Sequence, residues 1–270
     1  MVPGWAVPFT IVPEYRKGSV DRHGNIQPFW MNVLVVDIGG TRVKCLVTGH
    51  HERRAFESGP KLTPKQMVAG VKKLTGDWKF DVVSLGYPGL VVHGRPAADP
   101  NNLGKGWTKF DFAAAFGRPV RIMNDAAMQA LGSYKGGTMF FLGLGTGLGS
   151  ALIADGVVVP IEMGQLGVGK NRGIFEDYVG KRGLKKFGRK KWTRYVGFLV
   201  DRLVAAFHPD DMVLGGGNAK KLKKVPPKCR MGSNANAFLG GFRLWEAERY
   251  HQPLSRPALV PGQSRKRRIV

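Results

Sequence analysis

Cysteine is almost missing from this chain. Cys45 and Cys229 are the only two in 270 residues, far apart and outside any CxxC or Cys/His cluster. That argues against a disulfide framework and against a structural zinc site, and it fits a reducing cytoplasm. Long apolar runs are missing too. None approaches the roughly 18–20 residues that span a bilayer, so no membrane segment is expected. The opening residues, MVPGWAVPFTIVPEYRKGS, lack a basic start and a continuous apolar core, which makes a poor signal peptide. Residues 1–30 therefore read as an irregular extension, with Met31 a candidate natural start just before the first strand. A GxxxxGK[ST] motif is absent, which excludes a Walker-type phosphate loop. Acid is the scarce charge: nineteen Asp and Glu stand against forty-two Lys and Arg, a formal net charge of +23. Such a field attracts polyanions, whether nucleic acid, acidic lipid or polymeric phosphate; a generally basic surface is the plain alternative.

What is present is a repeated pattern of strand, glycine turn and strand. VLVVDIGGTRVKCLV (33–47) breaks an apolar run at an acid and two glycines and then resumes it. ERRAFES offers a third strand. TPKQMVAGVKKL predicts a helix with Thr63 as N-cap, Pro64 at the first position, and Met67, Val68, Val71 and Leu74 on one face. DVVSLGYPGLV and VRIMND read as strands, separated by a glycine- and asparagine-rich loop (94–106) and followed by a helix through AAMQALGSY. TMFFLGLGTGLGSALIADG then repeats the opening. A long helix, roughly Lys190 to Phe207, places Trp192, Val196, Leu199, Leu203 and Phe207 on one side. DMVLGGGNAKKL reads as a strand, three glycines and a further helix. The expected organisation is an α/β domain at 31–130 and a related one at 131–235, with a cleft between them. A helix near 236–250 is expected to pack back on the first. The basic tail at 251–270 is expected to be disordered, since SRKRRIV has nothing to bury against its ordering entropy.

Glycine lets backbone N–H groups approach phosphate closely because no Cβ intervenes. GLGTGLG (143–149) imitates a dinucleotide fingerprint but fails it: one register meets Leu148 and the other Ser150. It also leads into a strand rather than a helix. A dinucleotide-dependent oxidoreductase is set aside on that ground. Two hairpin turns that could each hold phosphate oxygens remain.

DIGGTRVK, NDAAMQALG, FLGLGTGLGSALIADG, EMG, FEDYVG and LGGGN occur in this order over roughly Asn32 to Glu246. Together they resemble the ROK family of sugar kinases, and GRKKW, LVAAFHPDDMVLGGGNAKKLKKVPP and NANAFLGGFRLWE resemble its polyphosphate glucokinase branch. The resemblance implies an actin-like ATPase (ribonuclease H-like) fold with two α/β domains flanking a cleft. It matches Asp37, Gly39, Gly40 and Thr41 to the first phosphate motif, and Gly145, Thr146 and Gly147 to the second. Gly215, Gly216 and Gly217 fall where the family holds the nucleotide or the far end of the donor. Asn124 and Asp125 match the sugar-binding pair whose aspartate is the general base. Glu162, Gln165 and Glu176 fall at sugar-holding positions, with Gln165 where the family has histidine. Asn101 and Asn102 lie in a loop where the family places sugar contacts.

Residue chemistry supports the same assignment. Phosphoryl transfer to a hydroxyl needs positioning, charge neutralisation and a proton acceptor. Asp125, at a strand end before a helix, can be that acceptor or simply the helix N-cap. Asp37 is expected near Mg²⁺ through a water, because this hard ion keeps much of its hydration. Lys44 is either a phosphate contact or an exposed strand lysine. No zinc is implied. The resemblance thus points to a glucokinase-like hexose kinase using polyphosphate, ATP or both on the 6-hydroxyl of glucose or a related hexose, and to a homodimer. The basic clusters KRGLKKFGRKKWTR (181–194) and KKLKK (220–224) favour polyphosphate, because a phosphate chain needs counter-charge beyond one site. Alternatives are a strictly ATP-dependent hexokinase and a degraded relative that senses sugar or binds polyanions. ROK repressors carry an added helix-turn-helix, and residues 1–30 are too short and proline-rich for one, so no specific nucleic acid is expected.

Overall fold

The computed structural model describes residues 31–169 and 172–245 together with the segments 19–20 and 26–27, which pair as two-residue strands. Most of the N-terminal extension and the 251–270 tail lie outside the described residues.

The first sheet contains β1 (Val33–Ile38), β2 (Arg42–Val47), β3 (Arg54–Glu57), β4 (Val82–Tyr87) and β5 (Val120–Asn124), in the order β3-β2-β1-β4-β5. β1, β2 and β3 pair antiparallel as a meander, whereas β4 and β5 join β1 in parallel. β1 is central, and its unbroken VLVV run is buried on both faces. α1 (Pro64–Leu74) starts at a capping box: Gln66 N–H donates to Thr63 Oγ1 at 3.3 Å and Thr63 N–H donates to Gln66 Oε1 at 2.9 Å. It buries Met67, Val68 and Val71, and with α2 (Phe112–Phe116) it covers the outer face of this sheet.

The second sheet contains β6 (Thr138–Leu144), β7 (Leu148–Ala154), β8 (Val157–Pro160), β9 (Asp211–Gly215) and β10 (Cys229–Met231), in the order β8-β7-β6-β9-β10. Its pattern of antiparallel and parallel pairs repeats that of the first sheet strand for strand. The short α4 (Phe175–Val179) leads into α5 (Lys181–Phe207), which lays Trp192, Val196, Leu199 and Leu203 on the outer face.

Three features depart from the sequence reading. The helix expected from about Lys190 to Phe207 is present, but α5 also carries a helical segment before it that starts at Lys181, and the two meet at a break at Gly188, whose φ of 70° and ψ of 163° lie in a region open essentially to glycine. Phe207, read as part of the buried stripe, is 44% exposed, because it ends the helix just before the left-handed cap His208. Its ring tilts against that of Phe140, 5.3 Å between centroids. The helix expected after Gly215–Gly217 is a single 3-10 turn, Ala219–Lys221. Four lysines in 220–224 leave Leu222 as its one apolar side chain, and Pro226 and Pro227 follow.

α3 (Asp125–Ser133) and α6 (Asn236–Arg243) form the layer between the two sheets. One core cluster joins Val33, Val35 and Val82 of the first sheet, both helices, and Met139, Phe141 and Val213 of the second. The helices cross closely: a Cβ at Gly132 would overlap the Asn236 carbonyl, and one at Gly240 would overlap that of Met128. Orphan carbonyls at the end of α3 are taken by two guanidinium groups. Arg243 donates to Leu131 O at 2.8 Å and Tyr134 O at 3.1 Å. Arg230, from β10, donates to Ser133 O at 2.6 Å while Asp211 holds it at 2.6 Å. The far end of α3 is thereby fixed, and its first residue stands at the carboxyl end of β5.

Candidate active site

The two sheets place their glycine turns at equivalent points, β1–β2 and β6–β7, where the parallel strands also end. In the first turn, Gly39 N–H donates to Arg42 O at 3.0 Å, and Ser58 Oγ donates to Gly39 O at 2.6 Å. Gly40 and Thr41 are exposed at its tip. A Cβ at Gly40 would come within 3.3 Å of Asn102 Cβ, so the 94–106 loop lies against this turn. Asn101, its neighbour, is exposed. Asp37 faces Lys44 in register across the hairpin, and Lys44 Nζ donates to Asp37 Oδ2 at 2.8 Å. Lys44 is a strand lysine paired with the motif's acid, with 39% of its side chain exposed against 15% for Asp37, so it remains open to a phosphate as well.

In the second turn, Gly145 N–H donates to Gly147 O at 3.1 Å and Thr146 is exposed. Glu176 lies against it: Leu148 N–H donates to Glu176 Oε2 at 3.2 Å, and a Cβ at Gly147 would overlap that carboxylate. Glu176 thus packs against the second turn. Asn218 links the third glycine run to the second turn: its N–H donates to Leu144 O, and Nδ2 to Gly145 O, each at 2.8 Å. Gly216, at φ 81°, has no room for a Cβ against Leu144. Gly145 and Gly217 differ in kind. A Cβ at either meets nothing within 4 Å, and neither has positive φ, so the protein's own packing does not require glycine there. The open space suits a ligand's close approach to the backbone.

Asp125 is the first residue of α3, and the cap is its neighbour. Asn124 Oδ1 accepts from Ala126 N–H at 3.0 Å and from Ala127 N–H at 3.1 Å, while its Nδ2 donates to Gly89 O at 3.1 Å. The N-cap alternative for Asp125 thus passes to Asn124. Asn124 keeps one amide hydrogen for another partner. Burial pushes the Asp125 carboxyl up to about 7, and the charges of Asp37 and Glu162 push the same way against the Ala126 N–H bond. Glu162 is itself raised, by burial and then by Glu176. Asp37, Asp125, Glu162 and Glu176 therefore form one electrostatic group. Glu162 and Gln165, both exposed, are carried by the turn after β8, which is fixed to β7 by Ser150: Oγ donates to Ile161 O at 2.7 Å and accepts from Met163 N–H at 3.0 Å. Among the described residues, no group of three or more His, Cys, Asp or Glu is placed to hold a metal ion.

The roles of Asn218 and of the Asp37–Lys44 pairing were not decided by sequence. An asparagine directly after three glycines was the available signal, since this residue type readily bonds nearby backbone in turns.

Known proteins resemble both the sequence and this geometry. The ROK family profile matches residues 33–173, more than half of the chain. Over 214 residues the chain is 28% identical to polyphosphate glucokinase of Mycobacterium tuberculosis, covering 71% of this chain and 80% of that one. The crystal structure of an inorganic polyphosphate/ATP-glucomannokinase from Arthrobacter sp. strain KM superposes with a TM-score of 0.67 at 24% identity, covering 82% of this chain and 100% of that one. A ROK family glucokinase from Streptomyces griseus, solved with glucose and AMPPNP, superposes with a TM-score of 0.63 at 17% identity, covering 79% and 98%. The duplicated sheet order is that of the actin-like ATPase fold these structures share, and this chain belongs to the ROK family.

Proposed function

We propose that the chain is a glucokinase-like hexose kinase that moves a phosphoryl group from inorganic polyphosphate, ATP or both to the 6-hydroxyl of glucose or a related hexose. The observation that carries this reading is the placement of Asp125 at the start of α3, close enough to Asp37 of the first turn and to Glu162 for their charges to push its carboxyl up. A base must be deprotonated yet basic at the working pH, and a buried carboxyl flanked by like charges meets both demands. Asp125 accepts the hydroxyl proton as the sugar oxygen bonds to the donor's terminal phosphorus, and the bond from that phosphorus to the remaining phosphate breaks. Backbone at 39–41 and 145–147 faces the phosphates, with Lys44 countering charge beside Asp37. Gly215–Gly217 hold the far end of the donor. Asn124, Glu162, Gln165, Glu176 and Asn101 are assigned to the hexose. Gln165 gives both a donor and an acceptor from a neutral amide, which sets hydroxyl geometry differently from a histidine.

Mg²⁺ typically takes one or two carboxylates plus waters and phosphate oxygens, and Asp37 is the carboxylate of the first turn. Asp37 would hold it through a water, and when bound the ion neutralises charge on the transferring phosphates.

The position of the basic clusters supports polyphosphate. Lys181 N–H donates to Thr146 O at 3.1 Å, so the 181–194 cluster starts at the second turn. The 220–224 cluster starts three residues after Gly217 and is exposed except at Leu222. Both therefore begin beside the proposed donor turns. The curated relatives named polyphosphate glucokinase point the same way.

The test is a matrix of donors and hexoses read as sugar 6-phosphate formed. Turnover with long-chain polyphosphate is expected. Turnover with ATP alone would remove the polyphosphate part and leave an ATP-dependent hexokinase. No turnover with any pair would overturn the proposal in favour of a sugar-sensing or polyanion-binding relative.

A further inference from the structure

Gln129 occupies the next turn of α3 after Asp125. Its Nε2 donates to Ser233 O at 3.1 Å and to Asn234 Oδ1 at 3.2 Å. The same Nε2 would stand 3.1 Å from a Cβ at Gly215, the first residue of the third glycine run. The 232–235 loop it holds is tied to that run, because Gly232 N–H donates to Leu214 O at 2.9 Å. One side chain thus joins the helix that carries the proposed base to the strand end that carries the proposed donor turn. Among the described residues, the other side-chain contacts from α3 to neighbouring elements lie at its two ends, with Asn124 at the first residues and Arg230, Arg243 and Asn236 at the last.

We infer that Gln129 is a positioning residue, one that sets the donor turn at Gly215–Gly217 against Asp125. Rotation of α3 about its fixed far end would swing Asp125 away from the donor, and the two amide bonds of Gln129 resist this at the point nearest the turn. Small misplacements of a base relative to the reacting atoms cost large factors in rate. Core packing alone does not account for the residue: Gln129 is partly exposed, and a hydrocarbon of the same length would serve packing as well.

The inference rests on the kinase reading, and two measurements separate their fates. Gln129→Met keeps the length and loses both donated bonds. With the best donor and hexose, its kcat is expected to fall about tenfold, consistent with losing one or two hydrogen bonds. The donor KM is expected to rise several-fold and the hexose KM to stay within twofold. Asn234→Ala should give a smaller loss, and the double variant should be no worse than Gln129→Met alone, because the two residues share one bond. A purely structural role predicts a lower Tm with kcat and donor KM unchanged below it, and that result overturns the inference. Calorimetric titration of ATP and of polyphosphate into both proteins needs no turnover. Several-fold weaker binding to Gln129→Met supports the inference even if the wild type is inactive, whereas equal binding together with equal kcat overturns it.

Discussion

Lys44 Nζ and Asp37 Oδ2 stand 2.8 Å apart across the hairpin that carries the first glycine turn. The pair fixes a cation beside the turn, and in the proposed reaction that cation would offset the carboxylate's charge toward the donor phosphates. Lys44→Met removes that cation while keeping the stem. Its donor KM is expected to rise about tenfold, with hexose KM unchanged, a loss on the scale of one charge-assisted hydrogen bond. Steady-state kinetics with each substrate varied in turn checks this.

The raised carboxyl of Asp125 gives activity a defined pH dependence. The base works only when deprotonated, so kcat/KM is expected to rise with pH through about 7. Glu162 contributes to raising that carboxyl, so Glu162→Gln should move the rising limb to lower pH. A pH–rate profile of both proteins reads the displacement, and a limb that stays in place would remove Glu162 from the electrostatic group.

The same carboxyl makes a stability prediction of opposite sign to the activity loss. Its folded value lies above the roughly 3.9 of an unfolded aspartate, so the folded state binds the extra proton between those values. Folding stability from this group is therefore full at low pH and is lost as pH rises from about 4 through about 7. Asp125→Asn, which keeps an acceptor for Ala126 N–H, is expected to raise Tm at pH 8 and leave it unchanged at pH 4. Thermal melts of both proteins at the two pH values check it.

Glycines separate structural from ligand roles. Gly145→Ala and Gly217→Ala add a methyl into open space, so Tm should hold within a degree or two while donor KM rises at least about tenfold. Gly132→Ala drives a methyl into the backbone of α6 and is expected to cost roughly 1–3 kcal/mol or more of stability. Denaturant unfolding beside kinetics distinguishes the two classes.

Much of this was legible in the sequence because it is local. The two strand–glycine–strand openings, the Thr63–Pro64 start of α1 and the Trp192–Leu203 stripe follow from turn chemistry and periodicity, and the structure reproduces each. The bend at Gly188 was hidden because glycine in a basic stretch leaves no periodic trace. The end of the helix at Phe207 was read correctly, but its burial was not, because a stripe does not show that its last residue lies beyond the sheet it covers. The middle layer was the least legible part. α6 reaches α3 across more than a hundred residues, and only Gly132 and Gly240 hint that two backbones meet there. Asn124 rather than Asp125 caps α3 because the choice between neighbours depends on backbone angles, which composition does not set.

Phosphoryl transfer by Asp125→Ala beside the wild type, measured in a single turnover with the donor and hexose the wild type uses best, tests the central claim most directly. The account predicts a rate lower by about 10²–10⁴, the usual weight of a general base, with donor binding and circular dichroism unchanged. A variant that transfers phosphoryl within a factor of a few of the wild type would contradict it.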